Sequence, residues 1–295
     1  MHNHRISSLH YLLASIVTTL WGFNFVFSKA AVGYFEPFTL LLLRFLIASS
    51  LLLPFFPKPP ISMIHIIKIS FLFVILHLGT MFWSLHAGLD ASVGVVVLQM
   101  HVPFLMILSI FFFKEKINIK CIVGIILTII GSIFLMETPN SITHPLPFFL
   151  MLSSALFVAF YSIQIKKIPN VNALALITWI SVCAVFMLIP IVLIFESFNL
   201  SVIINANANA IGSLLYITIG SSIIGHSLWA YLLSKNPIGS IAPITLLVPV
   251  IGIYAGVVML GELLSIYILA GSTLMIIGVG IIVIKRPKTT QIELK

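Results

Sequence analysis

Ten times along the chain an apolar run of roughly 20 residues is closed by proline, glycine, asparagine or a charge. The runs cover approximately 9–28, 35–55, 66–87, 91–113, 119–136, 146–165, 173–195, 210–232, 238–260 and 265–284. A helix crosses the hydrocarbon core of a bilayer with ~20 apolar residues, so each run is long enough to span. Only 7% of the 295 residues are charged and 60% are hydrophobic, against about 25% charged in a soluble domain. Such a chain cannot make a water-facing surface. Ten spans take up ~200 residues, which leaves connections too short to hold a soluble catalytic domain. The expectation is an all-α integral membrane protein of ten transmembrane helices.

The charges test that count. Arg5 precedes the first run. Lys58 and Lys68 follow the second, Lys114, Lys116 and Lys120 the fourth, Lys166 and Lys167 the sixth, and Lys235 the eighth. Lys285, Arg286, Lys288 and Lys295 follow the tenth. All of the 15 basic residues except Lys29 and Arg44 therefore fall on alternate connections. The opposite connections hold Glu36, Asp90, Glu137, Glu196 and Glu262. Basic loops stay in the cytoplasm, which predicts that both termini are cytoplasmic. The net charge of +8 is thus a mark of topology and implies no nucleic-acid partner. Cys121 and Cys183 lie inside apolar runs without a Cys-x-x-Cys neighbour and read as small packing residues. The first run is longer than a signal-peptide core and is expected to be a retained helix, although Ser28-Lys29-Ala30 loosely resembles a cleavage site.

The chain also repeats itself. An offset of 146 places Gly79-x-x-x-Trp83 on Gly225-x-x-x-Trp229 and Val102-Pro103 on Val248-Pro249. One inserted residue later, Glu115 falls on Glu262, and Gly124 and Gly131 on Gly271 and Gly278. Four correspondences in one order indicate a duplication, with a first repeat at 9–137, a second at 146–284 and a basic tail at 285–295. Each repeat has five spans, an odd number, so the two halves are expected to be inverted relative to one another. Inverted repeats are a recurrent design of secondary transporters, which hold substrate near the bilayer midplane and rock around it. Duplication can also serve symmetric packing alone, as in some channels and membrane enzymes.

Polar residues at lipid depth are the candidates for carrying transport. Arg44 lies well inside the second run, where a charge costs about 2.5–3.5 kcal/mol on insertion scales and faces the bundle interior or a cavity. It could anchor a substrate carboxylate with its two-pronged guanidinium, or form a structural pair with Glu36 or a helix-end carbonyl. Trp21 and Asn24 lie one turn apart on the first helix. Trp21 suits a cavity wall, and Asn24 either a hydrogen bond to an amino-acid head group or an interhelical bond. Lys29, near the helix end, reads as an interfacial anchor or a substrate contact. Gln99, His101, His77, His226 and Trp229 are further substrate-binding or coupling candidates. His77, His101 and His226 could each take up a transported proton or simply be satisfied packing residues. Pro103, Pro243 and Pro249 break helices, and the symmetric placement of Pro103 and Pro249 suits a cavity or hinge. Glu115 and Glu262, at helix ends, read as caps or orientation determinants rather than proton carriers. The four paired glycines read as close-packing positions, within one chain or across a homodimer.

These residues carry a resemblance. Trp21-Gly22-Phe23-Asn24-Phe25-Val26 with Lys29, Leu43-Arg44-Phe45, Val97-Leu98-Gln99, Glu115, Ala242-Pro243, Leu246-Leu247-Val248-Pro249-Val250 and Gly261-Glu262 resemble the EamA branch of the drug/metabolite transporter superfamily. The match runs over about 9–284. Within the branch, Val-Leu-Gln and Leu-Leu-Val-Pro-Val are most similar to bacterial exporters of O-acetylserine and cysteine. The chain departs from them at His101, where they carry an amide, and at His226, where they carry an aromatic residue. The resemblance implies a cytoplasmic-membrane exporter of small amino-acid metabolites, working by alternating access in the lipid bilayer without a cofactor. Aromatic amino acids, drug-like molecules and nucleosides are the other cargo classes it leaves open. No nucleophile–base pair, paired intramembrane carboxylates or Gly-rich phosphate loop points to an enzyme or to an ATP-driven pump.

Overall fold

The computed structural model describes residues 7–115, 118–138, 142–168, 171–196, 198–236 and 241–285. Arg5, Lys116 and the basic tail from 286 onward, with Arg286, Lys288 and Lys295, lie outside them. Among the described residues ten long helical segments follow one another. They are α1 (Ser8–Val32), α2 (Pro37–Leu52), α3 (Met63–His86), α4 (Ala91–Phe113), α5 (Ile119–Met136), α6 (Pro145–Lys166), α7 (Ala173–Phe195), α8 (Ala208–Lys235), α9 (Pro243–Leu260) and α10 (Ile266–Lys285). A short helix, Leu200–Ile204, lies between α7 and α8.

Among the described residues, nine helices are long and apolar enough to cross a bilayer, and α2 is shorter at 16 residues. The apolar run continues past it, but Pro54 has no N–H for the carbonyl four residues earlier, and the helix stops at Leu52. The outer surface carries many large apolar side chains. Phe111 is 76% exposed, Phe186 73% and Leu263 86%, a pattern that only a lipid environment satisfies.

The helices pair in an ordered way. α1 lies along α9 and against α8, α6 along α4 and against α3, α2 along α7, α4 against α9, and α5 along α10. Exchanging α1–α5 with α6–α10 leaves this list unchanged, so the halves interlock by a two-fold pattern. Local irregularities follow the same pattern. A π-helical stretch interrupts α3 at Phe71–Leu78 and α8 at Tyr216–Gly225. A 3₁₀ stretch, Leu98–Met100 or Ala242–Leu246, precedes the α-helical part that contains Pro103 or Pro249. The cause is visible in the chain. Each proline ring crowds the carbonyl four residues back, at Gln99 and Thr245, and both lie in the tightened stretch. Pro243 lies in the first turn of its 3₁₀ stretch, where a missing N–H costs little.

The paired glycines meet within one chain. A Cβ on Gly124 would sit 2.7 Å from the Gly278 carbonyl, and one on Gly131 2.6 Å from that of Gly271. The α5–α10 crossing therefore requires both pairs to lack side chains.

Candidate functional site

Arg44 is 6% exposed and lies where the halves meet. Its Nη2 donates to Ser222 Oγ on α8 at 2.5 Å, and Ser222 Oγ in turn donates to the Ile217 carbonyl at 2.8 Å. That second bond reaches back five residues and uses the wide turn of the π-helical stretch. The guanidinium carbon lies 5.9 Å from the Phe45 ring centroid and 5.8 Å from that of Phe82, within cation–π range. Among the described residues Arg44 forms no ion pair, and Glu36 lies instead 3.7 Å from His86. Arg44 Nη1 is buried without a hydrogen-bond partner.

The polar cluster continues from Ser222 to α1. The Trp21 indole donates to the Ser221 carbonyl at 3.3 Å, and the His226 ring bonds the Ser222 carbonyl through Nδ1 at 2.9 Å. Trp21 packs 5.4 Å from His226 and 5.6 Å, edge-on, from Trp229. A Cβ on Gly225 would lie 2.8 Å from the Trp21 nitrogen, so that glycine is what admits the indole. Tyr216 donates to the Leu20 carbonyl at 3.1 Å and stacks on Phe27. Asn24, one turn along α1 from Trp21, has a buried Oδ1 with no partner. Arg44, Trp21, His226 and Trp229 are thus joined by direct contacts around Ser221 and Ser222, with Asn24 on the adjoining turn.

His77 belongs to a second cluster, between α3 and α6. Its Nδ1 lies 2.8 Å from Ser154 Oγ and 3.1 Å from the Ser154 carbonyl, while Ser154 Oγ donates to the His77 carbonyl. The π-helical stretch of α3 also carries Phe73, which stacks on Tyr161 of α6. His77 has Arg44 and His101 within electrostatic reach, and His226 has Arg44. His101 bonds the Leu98 carbonyl through Nδ1 at 2.9 Å. Gln99 is half-buried in the 3₁₀ stretch of α4. All three histidines face a backbone carbonyl with Nδ1, so that nitrogen carries the hydrogen. Nε2 is left to accept a bond or a proton.

Sequence reasoning missed the serines that complete these clusters. Ser221-Ser222 in α8 and Ser153-Ser154 in α6 are hydroxyl pairs inside otherwise apolar runs, and such pairs must find partners at lipid depth. Lys29 donates to the Leu85 and Leu89 carbonyls at 2.8 and 2.7 Å, closing the exit end of α3.

The sequence profile of the EamA-like transporter family matches residues 8–137 and 146–284. A Salmonella typhimurium protein named a probable amino-acid metabolite efflux pump is 30% identical over 277 residues, covering 91% of this chain and 93% of its own. An Escherichia coli protein of the same name is 27% identical over 278 residues, covering 92% and 93%. An uncharacterized transporter of Archaeoglobus fulgidus is 27% identical over 285 residues, covering 94% and 99%. One solved crystal structure, 14% identical, superposes with a TM-score of 0.63 over 94% of this chain and 96% of that chain, a likeness of fold alone.

Proposed function

The chain belongs to the EamA-like transporter family, and from that premise we propose that it exports a small amino-acid metabolite, of the O-acetylserine and cysteine class, by alternating access. It is a multi-pass membrane transporter and not an enzyme. In this reading it sits in the cytoplasmic (inner) membrane and crosses it ten times, α2 included, with both termini in the cytoplasm. The repeats at 9–137 and 146–284 are inverted. The one-sided placement of the lysines supports the orientation, and the two-fold pairing of helices supports rocking of one half against the other.

One observation carries the cargo class. Arg44 Nη1 and Asn24 Oδ1 are a charged donor and an acceptor, buried without partners. A buried polar group left unpaired costs about 1–3 kcal/mol, and a zwitterion would satisfy both: its carboxylate on Arg44, its ammonium on Asn24. Solvent reaches neither atom, so cargo enters only when helices part, as alternating access requires. The Nε2 atoms of His77, His101 and His226 are candidate acceptors for a coupled proton. Trp21, Gln99 and Trp229 would shape the remainder of the site, and the breaks at Pro103 and Pro249 would let it open.

A second reading, a broader cargo set of aromatic amino acids, drug-like molecules or nucleosides, rests on the Trp21–Trp229–His226 cluster, which could stack a flat ring. Counterflow in proteoliposomes decides between them. Labelled cysteine or O-acetylserine is supplied outside and unlabelled amino acids are trapped inside. Uptake accelerated only by small trapped amino acids, and lost in Arg44→Ala and Asn24→Ala proteins that remain folded, is the expected result. Absence of counterflow with every amino acid would overturn the cargo class and leave the fold untouched.

A further inference from the structure

A cavity of about 640 Å³ opens between the start of α3 and the end of α6, away from the Arg44 cluster. It is lined by Ser62, His65 and Lys68 from the first half and by Gln164 and Lys167 from the second, over a floor that includes Ile69 and Ile168. We infer that this cavity binds the phosphodiester headgroup of an anionic phospholipid, held between Lys68 and Lys167 and bridging the two halves.

The chemistry of the lining selects the ligand. Both lysines are exposed, and no acidic side chain lies among the lining residues. The nearby acid, Glu115, is already engaged by Lys166 at 2.5 Å. Lys167 is held in place by its neighbour, with its ammonium 4.7 Å from the Phe112 ring. Ser62 Oγ and His65 Nδ1 are bonded to each other at 2.5 Å and place two further polar side chains at the mouth. Two cations, polar hydrogen-bonding groups and an apolar floor match a phosphate attached to hydrocarbon better than a free inorganic anion, which has no use for Ile69 and Ile168.

Position agrees with this chemistry. Lys68 is in the second turn of α3 and Lys167 immediately follows α6, so both lie where a membrane span meets the headgroup layer. The leaflet involved rests on the orientation proposed above; the binding does not. Because Lys68 and Lys167 belong to different halves, a lipid seated between them bridges the two repeats where α3 packs on α6.

The test uses the full chain purified in a neutral detergent, with lipid binding read by native mass spectrometry. Phosphatidylglycerol, phosphatidylcholine and inorganic phosphate are the three probes. A K68Q/K167Q protein is compared with a K58Q/K120Q control of equal charge loss, and K68R/K167R tests rescue. Each lysine near an anionic surface contributes enough that losing both predicts a drop of roughly 30-fold in phosphatidylglycerol affinity. The control and the arginine protein should bind like the parent. Phosphatidylglycerol binding that is equal in K68Q/K167Q and its control overturns the site. Phosphatidylcholine held as tightly as phosphatidylglycerol overturns the anionic selectivity. Inorganic phosphate bound at the lysines while phosphatidylglycerol is not overturns the lipid assignment.

Discussion

Glu262 accepts the Ala91 amide at 2.6 Å on one carboxylate oxygen and the Ser92 amide at 2.8 Å on the other. The acid that ends α9 thereby caps α4, whose own N-cap residue, Asp90, makes no side-chain cap bond. A negative charge at a helix N-terminus also meets the positive end of the helix dipole. Lys29 has both Asp90 and Glu262 within electrostatic reach while it closes the end of α3. Four helices are thus tied at one end of the bundle. Glu115, the repeat equivalent of Glu262, pairs with Lys166. The αL residues Lys114 and Gly261 occupy the equivalent places before the two acids.

Removing the Glu262 cap should therefore cost more than an exposed ion pair would. Glu262→Ala leaves the Ala91 and Ser92 amides to water or to nothing, at a cost of about 2 kcal/mol. Glu262→Gln, which keeps one good acceptor, should lose about half as much. Lys166→Gln, which breaks a partly exposed pair, should cost less than about 1 kcal/mol. Thermal unfolding in detergent ranks the three. Equal melting temperatures for Glu262→Ala and Lys166→Gln would remove the cap from its tying role.

The glycine contacts of α5 and α10 give a prediction with an internal control. A Cβ at Gly278 would sit 2.5 Å from Thr128 Oγ1 and 2.6 Å from the Gly124 carbonyl. Backbone atoms cannot step aside locally, so Gly278→Ala should separate the helices and cost about 1–3 kcal/mol. Gly212, on α8, has nothing within 4 Å of the same position. Gly212→Ala should be neutral or stabilising by up to about 1 kcal/mol, through helix propensity. Melting temperatures and the monodispersity of the purified proteins check both.

Much of the fold is legible in the sequence. The nine long apolar helices among the described residues and the 3₁₀ stretches before Pro103 and Pro249 follow from periodicity and from the chemistry of proline, both local properties. The Glu262 cap was readable in kind, because an acid at a helix end suits free backbone amides, but not in partner, since it caps α4 and not its own helix. Partners set by packing across the halves were not readable. Arg44 and Ser222 are 178 positions apart in sequence, and His77 and Ser154 are 77 apart. No local rule chooses between Ser222 and Glu36 as the partner of Arg44. Glu196 shows the same limit. It read as a topological charge, yet it accepts the Phe38 and Thr39 amides at 2.7 Å and caps α2.

The role proposed for Arg44 separates charge from geometry. Arg44→Lys keeps the positive charge and loses the planar fork that grips a carboxylate with two parallel bonds. The loss of a charge-assisted bond is worth about 1.5–3 kcal/mol, so the half-saturating concentration for counterflow should rise roughly 10- to 100-fold. Ser222→Ala removes only the neutral anchor at 2.5 Å and should have a smaller effect, on the order of five-fold. Arg44→Lys transporting like the parent would show that the arginine serves packing and not cargo.

Trp229 decides between the two cargo readings. Its ring meets the Trp21 ring edge-on at 5.6 Å, and Trp21 in turn packs on His226. If the cargo is a small metabolite, this cluster is the wall that excludes larger molecules. Trp229→Ala then opens a large void, and tryptophan should begin to compete for cysteine counterflow while cysteine itself is still carried. If the cargo is aromatic, the same ring is the stacking surface, worth about 0.5–1.5 kcal/mol beyond its buried area. Tryptophan competition, present in the parent, should then weaken by roughly two- to ten-fold in Trp229→Ala. Competition measured in parent and variant side by side has opposite signs in the two cases. The small-metabolite reading therefore fails if removing the indole makes tryptophan a poorer competitor.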